Sequence, residues 1–280
     1  MKRRTFLQTI ATAAAAGGAP GPASARTAGK VRIRKSLKWG MVKDQTGTLA
    51  GRFEKLKRCG FDGVEPNVSQ VKDASEWAGA SKESGLVIDG VVSPGTDDIE
   101  KAVDLCKQLG GDSILIVARL DKNKSFQHNW TETQSAIKAA APHAGQQRIK
   151  LLVENVWASF LVSPLDMARY IDEIADPWVG VHYDVGNIMR WGVSEHGIEV
   201  LGKRIGKLDI KEYSLDKAMK EGMAKGFDVS IGTGSINWPG VRSELAKIEY
   251  TGWAAAEVKA GEWGYLAEVA QRMDNALGLT

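Results

Sequence analysis

The sequence predicts one α/β domain built as a (β/α)8 barrel, in which eight parallel strands alternate with helices. Short apolar runs alternate with longer segments of helical periodicity along the chain. β-Branched and apolar residues dominate most of these runs, as expected for parallel strands that are covered on both faces. The chain has 280 residues, 43% of them hydrophobic, and single barrels of this kind commonly need about 250 residues.

The eight predicted strands are residues 36–42, 63–67, 86–93, 113–118, 149–155, 179–185, 205–211 and 253–259. Between them, apolar residues recur every three or four positions, which is typical of amphipathic helices. The segment that starts at Ser163-Pro164 has a capping serine and a proline in the first turn. Gly60, Gly85 and Gly110 follow helical segments, where glycine readily takes the left-handed conformation that ends a helix.

A doubly wound sheet would show the same alternation, but it normally carries a phosphate-binding turn after its first strand. Residues 42–47 do not form such a turn, and the glycines at Gly232-x-Gly234 lack a third glycine at the required spacing. The barrel is therefore the preferred prediction.

Charge and composition exclude several classes of protein. The formal net charge of +3 comes from Lys2, Arg3 and Arg4, and the chain after residue 25 carries 34 basic and 34 acidic residues. A neutral body gives no electrostatic argument for nucleic acid. Two cysteines and four histidines exclude a disulfide scaffold and a zinc site rich in Cys or His.

Residues 1–25 are predicted to be a cleaved export signal, and residues 26–280 the barrel domain. A basic start and an alanine-rich run precede Ala23-Ser24-Ala25, a small-x-small cleavage pattern. The string that begins at Arg3-Arg4 resembles a twin-arginine signal, which implies a periplasmic or secreted mature protein. The alternative is a membrane anchor, but the apolar stretch is too short to span a bilayer.

Four consecutive predicted strands end in an acidic residue: Glu154, Asp184, Asp209 and Glu257. Active sites of barrels lie at this end of the strands. Each acid could form a salt bridge with a lysine of a neighbouring strand, but four carboxylates buried together require cations. Ligation by oxygen atoms alone suits Mn²⁺, Mg²⁺ or Ca²⁺, so the pattern predicts a divalent metal site.

Several segments resemble, in order, those of the xylose isomerase-like TIM barrel superfamily, in particular its sugar phosphate isomerase/epimerase and ketose 3-epimerase members. These segments are residues 60–65, 153–155, 183–187, 204–212, 232–238 and 250–257. The resemblance implies that Glu154, Asp184, the position on the seventh strand and Glu257 hold one divalent metal, for which Mn²⁺, Mg²⁺ and Co²⁺ are the first candidates. It also implies that Glu154 and Glu257 form the acid/base pair.

The chain departs from the family pattern at two positions. The ligand on the seventh strand is usually His, where this chain has Asp209, and the sixth-strand motif often ends in His, where it has Asn187. Asp209 adds one negative charge to the ligand set. Lys211, which shares the inward face with Asp209, is expected to offset it.

Six residues are candidates for substrate binding, each with an alternative role: Trp39, Glu65, Trp157, His182, Asn187 and Lys211. Trp39 and Trp157 are expected at the barrel mouth, where they stack on a sugar ring or pack at the rim. Glu65 binds a substrate hydroxyl or pairs with a lysine. His182 acts on the substrate or supports Asp184 within the core. Asn155 and Asn187 orient neighbouring ligands, and Lys211 contacts the substrate or balances charge.

The predicted function is that of a metal-dependent isomerase or epimerase that removes a proton next to the carbonyl of an uncharged carbohydrate. A lyase or dehydratase on a keto-sugar or glycoside begins with the same step, and a non-catalytic sugar-binding barrel would keep the pocket without turnover. The expected partner is a small carbohydrate, without nucleic acid and without a membrane after signal cleavage. The sequence leaves homo-oligomer formation open.

Overall fold

The chain folds into a barrel of parallel strands surrounded by helices, which confirms the predicted fold. The computed structural model describes residues 33–93 and 95–279, so the predicted export signal lies outside the described residues. Among the residues described, no helix is both long enough and apolar enough to cross a membrane.

The strands are β1 (Ile33–Lys38), β2 (Gly63–Glu65), β3 (Val87–Ile88), β4 (Val91–Ser93), β5 (Ser113–Ile116), β6 (Lys150–Glu154), β7 (Val179–Asp184), β8 (Ile205–Ile210) and β9 (Gly252–Ala256). The α-helices are α1 (Leu49–Arg58), α2 (Ala74–Ser84), α3 (Ile99–Leu109), α4 (Phe126–Gln147), α5 (Pro164–Ile174), α6 (Ser194–Leu201), α7 (Leu215–Glu221), α8 (Trp238–Lys247) and α9 (Trp263–Leu277).

The sheet has the order β3-β2-β1-β9-β8-β7-β6-β5-β4 with parallel pairing throughout. The third predicted strand is split, because β3 pairs with β2 and β4 pairs with β5. A parallel bridge between Asn67 and Val92 joins the two parts. The nine strands therefore correspond to eight barrel strands, one of which is interrupted at Asp89 and Gly90.

Local signals in the sequence place the helices as predicted. The Ser163 hydroxyl accepts a hydrogen bond from the Asp166 N–H at the start of α5, where Pro164 occupies the first turn. Gly85 and Gly110 end α2 and α3 in the left-handed conformation, with φ of 66° and 80°. These signals act within a few residues, so the sequence shows them directly.

Side chains alternate between two environments along each strand, as the pleat requires. On β1, Leu37 belongs to the hydrophobic core, whereas Ser36 and Lys38 contact acidic side chains of other strands. The carboxyl half of the barrel interior is therefore polar, and the apolar core lies between the strands and the helices.

Gly90 fills a position where no side chain fits. A Cβ atom built there would lie 2.5 Å from the Ser113 carbonyl oxygen, which is closer than real contacts allow. The interruption between β3 and β4 thus brings the backbone against β5, and it also fixes the neighbouring Asp89.

We expect Gly90→Ala to lower the free energy of unfolding by about 1–3 kcal/mol, since the added methyl group forces the backbone of β5 to move. The matched control is Gly79→Ala on α2, where a Cβ atom would meet nothing within 4 Å. That control should raise stability by about 0.5–1 kcal/mol because alanine favours the helix. Urea unfolding of both variants measures the difference, and equal midpoints would contradict the close approach at Gly90.

Candidate active site

The four acidic side chains predicted at the strand ends come together inside the barrel. Each of Glu154, Asp184, Asp209 and Glu257 offers an oxygen atom, and these four oxygens lie within 4.8 Å of one another. The first three residues are buried and Glu257 is half-buried. We call these four residues the acidic quartet.

Three oxygens of the acidic quartet have the environment of metal ligands. Asp209 Oδ2 is buried with neither a hydrogen bond nor an ion pair, and Asp184 Oδ2 and Asp209 Oδ1 are buried with only ion-pair contacts to Lys211, Lys38 and His182. Buried polar atoms are otherwise almost always paired. Oxygens in this state, grouped at this spacing, fit a hard divalent cation such as Mg²⁺ or Mn²⁺.

Backbone and amide groups hold the remaining oxygens in place. Asp184 Oδ1 accepts hydrogen bonds from the backbone N–H groups of Gly186 (2.8 Å) and Asn187 (2.7 Å). The Asn187 side-chain amide donates to Glu154 at 3.1 Å. Asn155 forms two reciprocal hydrogen bonds with the backbone of Asp184. Asn187 and Asn155 thus orient the carboxylates, as expected for groups behind a ligand.

Two lysines bridge pairs of carboxylates at the site. Lys211 Nζ lies 2.8 Å from Asp184 and 2.6 Å from Glu257. Lys38 Nζ lies 3.0 Å from Asp209 and also contacts Glu65. Lys211 was predicted from its position on the inward face, whereas Lys38 was missed.

A third lysine extends this arrangement deeper into the barrel. Lys207, 1% exposed, lies 2.5 Å from Glu65 and 2.6 Å from Asp89. The Ser36 hydroxyl donates to Asp89 at 2.7 Å. The sequence contained a signal for this network, since Lys207, Asp209 and Lys211 occupy alternate positions of one strand and must share a face.

The site therefore carries more buried negative than positive charge. Six carboxylates belong to this network, the acidic quartet together with Glu65 and Asp89. Three lysines oppose them. Because Lys207, Lys38 and Lys211 together leave three negative charges uncompensated, a divalent cation would remove most of the excess.

Burial and the charges of neighbouring carboxylates raise the pKa values of Glu154 and Asp184. Burial together with the nearby charge of Glu257 raises the pKa of Glu154 well above its usual range. Burial also raises the pKa of Asp184 to about 6, although Lys211 opposes the shift.

The pKa of Asp209 is shifted in the opposite direction. Burial by itself would raise the pKa of Asp209, but contacts with His182 and Lys38 outweigh it and hold the pKa below its usual range. Burial lowers the pKa of His182 despite the attraction of Asp209, 2.9 Å away. Lys38, 3.0 Å from Asp209, supplies the lysine charge opposite this carboxylate.

Of the two alternatives for Trp39, stacking on a sugar ring or packing, the structure shows packing contacts. Strand β1 ends at Lys38, so Lys38 takes the inward position and Trp39 points outward. The Trp39 ring is 5% exposed and packs edge-to-face against Phe53 and Trp77 of α1 and α2, with ring centroids 5.4 Å away in both cases.

Glu65 was expected either to bind a substrate hydroxyl or to pair with a lysine, and the structure shows pairing with lysine. Both of its carboxylate oxygens contact ammonium groups, those of Lys38 and Lys207. Both lysines lie on other strands of the barrel. Glu65 thus supports the charge network, with an ammonium group on each of its two oxygens.

Trp157 does lie beside the site, in an aromatic wall formed with Tyr213 and Phe227. The centroids of Trp157 and Phe227 are 5.1 Å apart, and those of Tyr213 and Phe227 are 4.8 Å apart. Trp157 Nε1 donates to the Asn187 carbonyl at 3.0 Å, which connects the wall to the residues that orient Glu154.

Two cavities adjoin at the carboxyl end of the barrel. The inner cavity has a volume of about 190 Å³, and Lys38, Glu65, Glu154, Asp209 and Glu257 are among its lining residues. The outer cavity has a volume of about 440 Å³ and is lined by Lys211, Glu212, Phe227, Asp228, Val229, Ser230, Val258, Lys259 and Tyr265 together with Met41 and Glu257. Met41 and Glu257 line both cavities, so the two are neighbours.

Glu212 fixes the loop that forms one wall of the outer cavity, a role that the sequence did not reveal. Its buried carboxylate accepts hydrogen bonds from the Gly232 N–H (2.7 Å) and from Trp238 Nε1 (2.9 Å). A Cβ atom at Gly234 would lie 2.5 Å from the same carboxylate. Gly234 of the Gly232-x-Gly234 motif therefore allows a close approach to Glu212, whereas Gly232 adopts a positive φ of 85°.

Comparison with known proteins gives a family match and several structural relatives. The model of the xylose isomerase-like TIM barrel family matches residues 53–276. A protein of Escherichia coli (strain K12), provisionally named an L-ribulose-5-phosphate 3-epimerase, is 25% identical over 234 residues, which cover 72% of this chain and 80% of the relative.

Crystal structures of two sugar epimerases have the same fold. One is a 3-keto-D-glucoside 4-epimerase from E. coli, with a TM-score of 0.70 and 15% identity, covering 88% of this chain and 99% of that one. The other is a D-allulose 3-epimerase from Methylomonas sp. in complex with D-allulose, with a TM-score of 0.68 and 16% identity, covering 88% and 97%.

We expect the Asp89 carboxyl group to make stability depend on pH. Burial and the charge of Glu65 raise its pKa to about 6 against the pull of Lys207, whereas the unfolded chain has a pKa of about 4. The folded state therefore binds more protons between these values, and the contribution of Asp89 to stability falls as pH rises from about 4 to 6.

The free energy of unfolding of the wild type, relative to that of Asp89→Asn, should fall by about 2 kcal/mol between pH 4.5 and pH 7. Urea unfolding at the two pH values measures the change. Parallel pH profiles for the two proteins would show that Asp89 titrates normally.

Proposed function

Because the chain belongs to the xylose isomerase-like TIM barrel family, we propose that it is a divalent-metal-dependent sugar isomerase or epimerase. It removes a proton from the carbon next to a carbonyl and returns one. The observation that carries this proposal is the acidic quartet, whose four oxygens lie within 4.8 Å of one another and include buried atoms without a hydrogen bond. The names of the epimerase relatives support a sugar as the substrate.

Glu154, Asp184, Asp209 and Glu257 would hold the metal. When bound, a divalent cation polarises a carbonyl group and stabilises the negative charge that develops on its oxygen. Asp184 and Asp209 are suited to holding the metal without any contact with the substrate, because they are fully buried. Glu154 and Glu257 line the inner cavity, as Asp209 does, but their side chains are longer and less buried, so they can also reach a substrate.

We assign proton transfer to Glu154 and Glu257. Glu154 ends β6 and Glu257 follows β9, so the two carboxylates approach the inner cavity from different strands. One removes the proton and the other delivers a proton to the opposite face, which gives the stereoisomer. The Asn187 amide holds Glu154, and the Lys211 ammonium group holds Glu257.

The remaining polar groups of the site position these two. Lys38 holds Asp209, and the Asn155 amide fixes the backbone of Asp184. The aromatic wall limits access of water from the side of Trp157. The mature protein is proposed to act outside the cytoplasm, on the basis of the export signal predicted from the sequence.

Deuterium exchange tests the proton-transfer step. Incubation of the protein, supplied with Mn²⁺, with a panel of ketoses and keto-sugars in D₂O should label the carbon next to the carbonyl and produce a stereoisomer. Glu154→Gln and Glu257→Gln should each lower kcat/KM by about 10²–10⁴-fold, the usual contribution of a general acid or base. The control is Glu132→Gln, which changes an exposed carboxylate on α4.

If either variant labels the substrate as fast as the wild type does, the assignment of proton transfer to the two glutamates is contradicted. Release of water or of an aglycone in place of a stereoisomer would assign the chain to the lyases. A folded, metal-loaded protein that labels no member of the panel would favour a sugar-binding protein without turnover.

Metal binding is tested separately. Calorimetric titration of the chelator-treated protein with Mn²⁺ should show one site, and Asp184→Asn should weaken it by at least about tenfold, because even groups behind a ligand contribute that much. Asp228→Asn, in the outer cavity and outside the acidic quartet, should bind Mn²⁺ as the wild type does. Equal affinity in all three proteins would show that the quartet is not the site.

A further inference from the structure

The site offers more space than one sugar ring uses. A ring that reacts between Glu154 and Glu257 occupies the inner cavity, of about 190 Å³. The outer cavity, of about 440 Å³, opens from the same Glu257 and is more than twice as large. A substituent attached to the reacting sugar would enter the outer cavity directly.

The walls of the outer cavity suit a flat or cyclic group. Phe227 presents its ring there and is held from behind by Trp157 and Tyr213. Tyr265, 37% exposed, contributes a second aromatic ring. Asp228 and Ser230 supply polar atoms between these rings. Apolar and aromatic walls with a few polar groups are typical of sites for small organic molecules.

The charges of both cavities disfavour an anionic substituent such as phosphate. Each lysine that lines the cavities is already ion-paired: Lys38 with Asp209 (3.0 Å), Lys211 with Glu257 (2.6 Å) and Lys259 with Asp228 (2.9 Å). Six carboxylates line the same two cavities: Glu65, Glu154, Asp209, Glu212, Asp228 and Glu257. One divalent cation would not reverse this excess of negative charge, so a phosphate group would be repelled.

We propose that the outer cavity is a second binding subsite, and that it takes an uncharged ring attached to the carbonyl-bearing sugar in the inner cavity. The inference rests on the proposed function and specifies its substrate class. The substrate is then a neutral two-ring compound, not a free monosaccharide or a sugar phosphate. The second ring is either another sugar, as in a disaccharide that ends in a ketose, or the aglycone of a keto-glycoside.

Matched substrate pairs test this proposal. The pairs are lactulose with D-fructose, and p-nitrophenyl 3-keto-glucoside with 3-keto-glucose, and D-fructose 6-phosphate provides the anionic comparison. In the deuterium-exchange assay, kcat/KM for at least one two-ring compound should exceed that of its single-ring partner by about tenfold or more, and the phosphate should be the poorest substrate. The pair that shows the larger ratio identifies the second ring.

Two variants connect the preference to the outer cavity. Tyr265→Ala removes an aromatic wall, and Ser230→Trp fills the cavity without removing a packing contact, since Ser230 is exposed. Each should lower the ratio of kcat/KM between two-ring and single-ring substrates by about tenfold. Phe126→Ala, which changes an exposed ring at the start of α4, should leave the ratio as it is in the wild type.

Calorimetry with the same compounds separates failure of the subsite from failure of the proposed function. Tighter binding of a two-ring compound by the wild type, lost in Ser230→Trp, supports the subsite even where no compound is turned over. Equal or tighter binding of the single-ring compounds or of the phosphate overturns it, as does a ratio of kcat/KM that neither variant changes.

Discussion

The concentration of carboxylates in the closed interior of the barrel is the constraint on which the rest of the site depends. Buried charges are tolerated only when they are paired, and here each of three lysines bridges two acids. Lys207 and Lys38 connect Asp89, Glu65 and Asp209 into one continuous chain, and Lys211 joins Asp184 to Glu257. Glu154 contacts an amide of Asn187 instead of a lysine. The charge that remains uncompensated therefore lies at the acidic quartet.

This arrangement explains how an aspartate can occupy the position of Asp209, where the resemblance to the family implies a histidine. An aspartate in that position adds a negative charge to the ligand set, and the sequence suggested Lys211 as the compensating group. The structure gives this role to Lys38, which lies 3.0 Å from Asp209, whereas Lys211 serves Asp184 and Glu257. Asp209 and Lys38 together are neutral, so the pair has the same net charge as an imidazole. Glu65, which is itself paired with Lys207, in turn holds Lys38.

The sequence revealed the features that depend on short-range patterns. Short apolar runs predict the strands, and apolar residues that recur every three or four positions predict the helices. The regular alternation of the two predicts a barrel. The convergence of the acidic quartet followed from that topology, since parallel strands of a barrel all end at the same rim. Neither step required knowledge of side-chain packing.

What the sequence did not reveal depends on register and on partners far away in the chain. Trp39 was expected at the mouth because the predicted strand ran on to residue 42, whereas β1 ends at Lys38 and the Trp39 ring packs against α1 and α2. Asp89 was missed because the apolar run of residues 86–93 reads as one strand, whereas Gly90 interrupts it. Lys38 and Lys207 were missed because lysines in a strand are usually exposed. Lys38 lies two residues after Ser36, and Lys207 lies two residues before Asp209. Each pair therefore shares a face of its strand, and this spacing was the available signal.

In the proposed function, the same excess of negative charge that would favour a cation would also select the substrate. An interior with more carboxylates than ammonium groups attracts metal ions and repels phosphates, so one electrostatic feature acts on both ligands. Glu212 extends this feature outward, because it holds the loop that carries Asp228 and Ser230 in the wall of the outer cavity. With Lys259 neutralised by Asp228, that cavity recognises its ligand through aromatic surface and hydrogen bonds. A mouth whose cavity-lining lysines are all ion-paired would suit a neutral carbohydrate, and the size of the outer cavity would then set how many rings it accepts.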